Sequence, residues 1–140
     1  GDYIMNHLAL EEKMLSEPQV ECPVTNYFGP NLYIRETFLP KNTYVLGHSH
    51  KAETMNILLK GKMAVLVDDE VKLIEGPLTF MSEAGRKLAY ILEDCIFQNV
   101  YSTDETDLEK LEDMFIEKSK VWIEHSDMKK IINKLCKEEI

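Results

Sequence analysis

The chain has 140 residues, 44% of them hydrophobic and 29% charged, which suits one globular domain. No run approaches the roughly 18–20 apolar residues of a membrane-spanning helix, and no basic segment followed by an apolar stretch marks a secretory signal, so a cytoplasmic location without membrane contact is expected. A formal charge of −9 argues against a nucleic-acid polymer as partner, because phosphate contact draws on clustered Lys and Arg.

In chain order, Asn6 to Leu15 predicts a short helix with Asn6 as N-cap, ended by Pro18. From about residue 20 to 101 the pattern is that of short strands divided by turns. The strands expected are Leu32 to Phe38, Tyr44 to His50, Met55 to Leu59, Met63 to Val67, Val71 to Ile74, Leu78 to Ser82, Leu88 to Leu92 and Cys95 to Tyr101. Lys60-Gly61-Lys62 and Glu93-Asp94 read as turns. Beyond them, Ser102-Thr103-Asp104-Glu105 fits a capping box opening a helix with the stripe Leu108, Leu111, Phe115. A second helix is expected after Ser126, with Met128, Ile131, Ile132 and Leu135 on one face and Val121-Trp122-Ile123 joining the two. The whole reads as a single domain over 1–140, with a barrel at about 20–101 and a helical tail at about 103–140.

Cys22, Cys95 and Cys136 are scattered, with no zinc-type spacing, and read as small buried hydrophobes in a reducing compartment. His7 and His125 lie in charged helical contexts and read as surface residues, and Lys129, Lys130 and Lys137 as a solvated helix face. Arg35, next to Glu36, reads as an ion pair with that or another surface carboxylate, with a pocket cation as the competing reading.

The segment with most chemistry is Gly47-His48-Ser49-His50-Lys51-Ala52-Glu53. On a strand, residues two apart share a face, so His48 and His50 are expected to point together. Two imidazoles can hold a divalent metal when a carboxylate such as Glu53 completes the set. By the same parity, Thr54, Asn56 and Leu58 share one face and Met55, Ile57 and Leu59 the other, while Tyr90 goes with Leu88 and Leu92. An inward Asn56 needs partners, and an inward Tyr90 offers a ring and a hydroxyl.

These residues resemble the cupin family. Its first motif runs glycine, His-x-His, three or four residues, a glutamate, six residues and a glycine, and His48-Ser49-His50 and Gly61 match it. Gly76 and Glu83-Ala84-Gly85 match the outline of the second motif. The family's glutamate falls on Thr54, one residue after Glu53, and its second-motif histidine falls on Leu88. The resemblance covers about Leu32 to Tyr101. It implies a mainly β chain: a cupin-type, RmlC-like antiparallel β-barrel (jelly-roll) with a short N-terminal helix and a C-terminal helical tail. Thr103 to Glu109 is similar to the tail of compact cupins of bacteriophage genomes, which implies a phage protein acting in a host cytoplasm.

The resemblance implies three functions. The first is binding of a small polar molecule at His48, His50, Thr54, Asn56 and Tyr90, with no cofactor required. The second is a metal-dependent isomerase or dioxygenase with a divalent transition metal on His48, His50 and Glu53. The third is a structural or regulatory interaction protein working through its tail, with sequestration of a host signalling nucleotide as a variant. A homodimer is expected, to cover the outward Met55, Ile57 and Leu59, with the tail helices as the equal alternative for that cover.

Overall fold

A computed structural model describes the backbone of residues 2–67 and 69–138 and the side chains of 8–67 and 69–135. The side chains of Asn6, His7, Cys136 and Lys137 thus lie outside the described residues. The chain divides into two compact units, the first 19 residues with those from Lys118 onward, and Val20–Glu117.

The first unit is two helices, α1 (Asp2–Leu15) and α3 (Lys120–Glu138), which pack on each other. Helix α1 starts before Asn6, so Asn6 does not cap it. Helix α3 begins well before Ser126, because Ser119 supplies a cap: its Oγ accepts from the Trp122 amide at 3.1 Å, and its carbonyl accepts from the Ile123 amide at 3.0 Å. Val121-Trp122-Ile123 is therefore the first turn of a helix and not a connector. The Ser119 hydroxyl also donates to the buried Glu11 carboxylate. Met128, Ile131, Ile132 and Leu135 are exposed, as is His125.

The second unit is β-rich. Its strands are β1 (Val24–Gly29), β2 (Leu32–Leu39), β3 (Tyr44–Leu46), β4 (Ser49–His50), β5 (Thr54–Val67), β6 (Glu70–Glu75), β7 (Leu78–Ser82) and β8 (Leu88–Tyr101). They are followed by α2 (Leu108–Phe115) and β9 (Ile116–Glu117). All pairings are antiparallel. The first half of β5 pairs with β7 and with the second half of β8, which in turn pairs with β2, and β2 with β1. The second half of β5 pairs with β6 and with the first half of β8, which pairs with β3. Two long strands thus serve two sheet halves, with Leu39, Leu58, Met63, Ile91 and Cys95 buried together as the core. This is the expected mainly β, jelly-roll class.

Two turns expected from sequence are not turns. Met55–Leu59 and Met63–Val67 are one strand of 14 residues, and Leu88–Leu92 and Cys95–Tyr101 another of 14. The register between them slips from Leu58 to Met63, a bulge that reverses which residues of β5 face inward: Asn56 and Leu58 before it, Met63 and Val65 after it. Gly61 makes this possible with φ 104°. A Cβ there would sit 2.5 Å from the Asp94 carbonyl oxygen, so the site requires glycine. The predicted strand Tyr44 to His50 also breaks, because β3 pairs with β8 whereas β4 pairs with β9.

The expected capping box does not form. Helix α2 is capped by Asp107, whose Oδ1 accepts from the Glu109 and Lys110 amides at 3.0 and 3.2 Å. Thr103 instead takes the Glu105 amide at 3.1 Å in a local turn. The α2 stripe buries Leu111 against Tyr33 and Tyr101, with Phe115 beside them.

Candidate functional site

The inner face of the second unit is layered in rungs that cross the sheet. One rung is aromatic: Phe28 pairs with Tyr33, and Tyr33 with Tyr101. Their rings stack in series, with centroids 5.2 and 5.6 Å apart, and Phe115 continues the stack at 4.3 Å from Tyr101. Four residues further along β2 and β8 is an apolar rung, Thr37, Phe97 and Leu58, which belongs to the core apart from Thr37. Between them lies a polar rung. Asn26 on β1 pairs with Arg35 on β2, Arg35 with Asn99 on β8, and Asn99 with Asn56 on β5.

Asn56 and Asn99 are buried and bonded to each other, Asn99 Nδ2 donating to Asn56 Oδ1 at 2.8 Å. Asn56 Nδ2 donates to Ser82 Oγ on β7 at 2.8 Å, and the Ser82 hydroxyl to the Thr54 carbonyl at 3.5 Å. Thr54 is buried and its hydroxyl donates to the Ala52 carbonyl at 3.2 Å. Asn26 Oδ1 accepts from the Tyr33 hydroxyl at 2.6 Å. Burying such groups is tolerable only because they satisfy one another.

His50 is half-buried beside this rung, its Nε2 3.3 Å from the Tyr101 hydroxyl. Its backbone exchanges two 2.9 Å hydrogen bonds with Gly85, which fastens β4 to the 83–87 loop. Burial, then the charges of Lys87 and Arg35, hold its imidazole below the ordinary range. Burial pushes the Tyr101 phenol up to about 12, against a smaller opposing pull from Arg35 and with Tyr33 adding to the rise. His50 and Tyr101 thus face the site as neutral hydrogen-bonding groups. His48 is also half-buried, but in the segment between β3 and β4, so strand alternation does not align it with His50.

Two sequence expectations need correction. Tyr90 is on the outer face: its ring lies 4.7 Å from that of exposed Tyr44 and its hydroxyl donates to Asn42 Oδ1 at 3.2 Å. The inward residues of this part of β8 are Ala89 and Ile91, so Leu88 is not a corner of the site. Arg35 is not paired with Glu36. Neighbours on a strand face opposite ways, and Glu36 accepts from Gln98 Nε2 at 2.9 Å, while Arg35 Nη1 donates to Thr37 Oγ1 at 3.0 Å.

The residues do not fit the metal set that the resemblance implies. Glu53 is exposed before β5, and among the described residues no three His, Cys, Asp or Glu side chains gather as ligands. The charges that act on His50 are those of Lys87 and Arg35, which oppose a further cation.

Asn99, Ser82 and Tyr101 were not expected in the site, and for Arg35 a pocket cation was the competing reading to a surface ion pair. Their signal was the shared parity of Tyr33, Arg35, Thr37 and Leu39 with Tyr101, Asn99, Phe97 and Cys95, which only the β2–β8 register makes visible.

No protein-family model and no curated relative matches the chain. Solved structures do. The EutQ protein of Clostridium difficile matches with TM-score 0.50 at 13% identity, over 66% of this chain and 75% of that one. The plu4264 protein of Photorhabdus luminescens matches with TM-score 0.50 at 16% identity, over 69% and 87%. An RmlC-like cupin with a double-stranded β-helix fold from Methanocaldococcus jannaschii matches with TM-score 0.47 at 16% identity, over 63% and 85%. At such identities the likeness is one of fold, and the fold of this chain is a mainly β, antiparallel jelly-roll.

Proposed function

We propose that the protein binds a small polar organic molecule at the polar rung, without a metal. The observation that carries this reading is the row Asn26–Arg35–Asn99–Asn56, set between an aromatic and an apolar rung on the inner face. A core needs no such row, and barrel mouths are common ligand sites. Thr54, two residues before Asn56, and His50, beside Tyr101, are included in the proposed site, and His48 is included with them; Tyr90 is left out, because its ring lies against Tyr44.

A screen of polar metabolites by thermal denaturation tests it. A ligand at 100 times its Kd adds about 2.7 kcal/mol to stability, a readable rise in Tm. We expect at least one compound to give that rise, and His48→Ala to reduce it. A broad panel that leaves Tm unchanged overturns the proposal.

A second reading concerns assembly. The exposed row Met128, Ile131, Ile132 and Leu135 on α3 supports a contact with a second copy of the chain, since apolar patches of this kind are usually covered. Sedimentation at micromolar concentration is expected to give the mass of two chains; the mass of one overturns it.

A further inference from the structure

We infer that the ligand of this site is an organic anion whose carboxylate or phosphate group is held by Arg35. The inference rests on the ligand-binding reading above and narrows it to a chemical class.

Arg35 is the cation of the polar rung. On the same face of β2, its neighbours Tyr33 and Thr37 are buried, and so is Asn99 across from it, yet Arg35 itself is exposed. Its stem therefore starts on the inner wall and its guanidinium reaches water. Thr37 Oγ1 takes one N–H, out of about five that a guanidinium carries. Among the described residues no carboxylate pairs with it. The chain has 25 acidic against 16 basic residues, so carboxylates are plentiful, but Glu36 is turned to the other side of the sheet and bound to Gln98. Its strand neighbours are neutral: Asn26 and Asn99 in its rung, Thr37 below, Tyr33 and Tyr101 above.

A guanidinium held by one hydroxyl, with most of its fork open, is shaped for the two oxygens of a carboxylate or phosphate. A second cation, Lys87, acts with Arg35 on His50, while Glu112 acts in the opposite sense to Arg35 on Tyr33. A guanidinium unpaired among the described residues, on a protein of net charge −9, is the reverse of its average surface, and it attracts anions. His50 and Tyr101, joined at 3.3 Å, offer neutral hydrogen bonds to the rest of the molecule.

The test is an NMR titration at constant ionic strength with three probes: malonate, inorganic phosphate and glucose. It is run on the wild type, Arg35→Gln and Arg35→Lys. We expect malonate or phosphate to bind and glucose not to. Arg35→Gln should weaken binding by about tenfold or more, the loss of a charged hydrogen-bonding group. Arg35→Lys, which keeps the charge without the fork, should fall between. Both variants should keep the wild-type Tm without ligand, so that lost binding is not lost folding. Binding of malonate alone assigns a carboxylate, and of phosphate alone a phosphate group; either supports the inference. Equal affinity in wild type and Arg35→Gln overturns it, as does failure of both anions. If both anions fail while glucose or a neutral metabolite from the screen binds, only the anion inference falls; if nothing binds in either experiment, the ligand-binding reading falls as well.

Discussion

The polar rung and the apolar rung beside it are built on the same strands, two residues apart, and they solve opposite problems. In the apolar rung, Leu58 and Phe97 face each other across β5 and β8 and join the core. In the polar rung, Asn56 and Asn99 occupy the equivalent places and are as thoroughly hidden, but are held by hydrogen bonds. The first kind of contact is non-directional and scales with area. The second contributes little net stability when complete and costs much when half removed. Stability is thus concentrated in one layer and chemical specificity in the next.

That contrast can be broken by substitution. The largest effect is expected in the apolar rung: Leu58→Ala, at a side chain with no exposed surface, should cost about 2–5 kcal/mol in chemical denaturation. In the polar rung, Asn99→Leu leaves the buried Oδ1 of Asn56 without its donor and should cost about 1–3 kcal/mol. The double variant Asn56→Leu/Asn99→Leu should recover part of that loss, because no buried amide is then stranded. A double variant less stable than the sum of the single ones would show that the two rungs do not differ in kind.

A smaller effect is expected from pH. The His50 imidazole is held below 6.5 in the folded chain, so on acidification the unfolded chain takes up the proton first. The sign is therefore a loss of stability as pH falls below about 7, continuing until the folded imidazole also titrates, with a slope of at most about 1.4 kcal/mol per pH unit. Tm measured at pH 7.5 and 5.5 should drop less in His50→Gln than in the wild type. Smallest of all, Arg35→Gln should change unfolding free energy by no more than about 0.5 kcal/mol, as exposed substitutions do, whatever it does to binding. A large loss would make Arg35 a part of the scaffold.

Much of this architecture was legible in the sequence, and the failures have physical reasons. The β character of the middle, the helices at either end and the inward parity of Thr54, Asn56 and Leu58 all follow from pattern. The long strands did not, because Gly61 and Glu93-Asp94 carry the same residues as a reversal, and a bulge looks like a turn until its partner strand is known. Tyr90 was placed by alignment of Leu88 with a family histidine, whereas packing is anchored on Ile91, one step out of phase. Arg35 was read first as a surface ion pair because both faces of β2 mix apolar and polar residues: Tyr33, Arg35, Thr37 and Leu39 on one, Ile34, Glu36 and Phe38 on the other. Composition cannot choose between them; the hydrogen bonds of β8 do. Strand β1 was overlooked for a similar reason, since its inner residues Val24, Asn26 and Phe28 do not form an apolar row.

The slip at Gly61 also sets how this barrel tolerates change in length. It absorbs one residue of phase between the Asn56 end of β5 and the Met63 end. Deleting one residue within it would restore unbroken alternation, and one end would then have to turn its inner residues outward: either Met63 and Val65 would leave the core, or Asn56 would leave the rung and Leu58 the core. The kink is a frame-setter, and it lets a greasy half and a wet half share a single continuous strand.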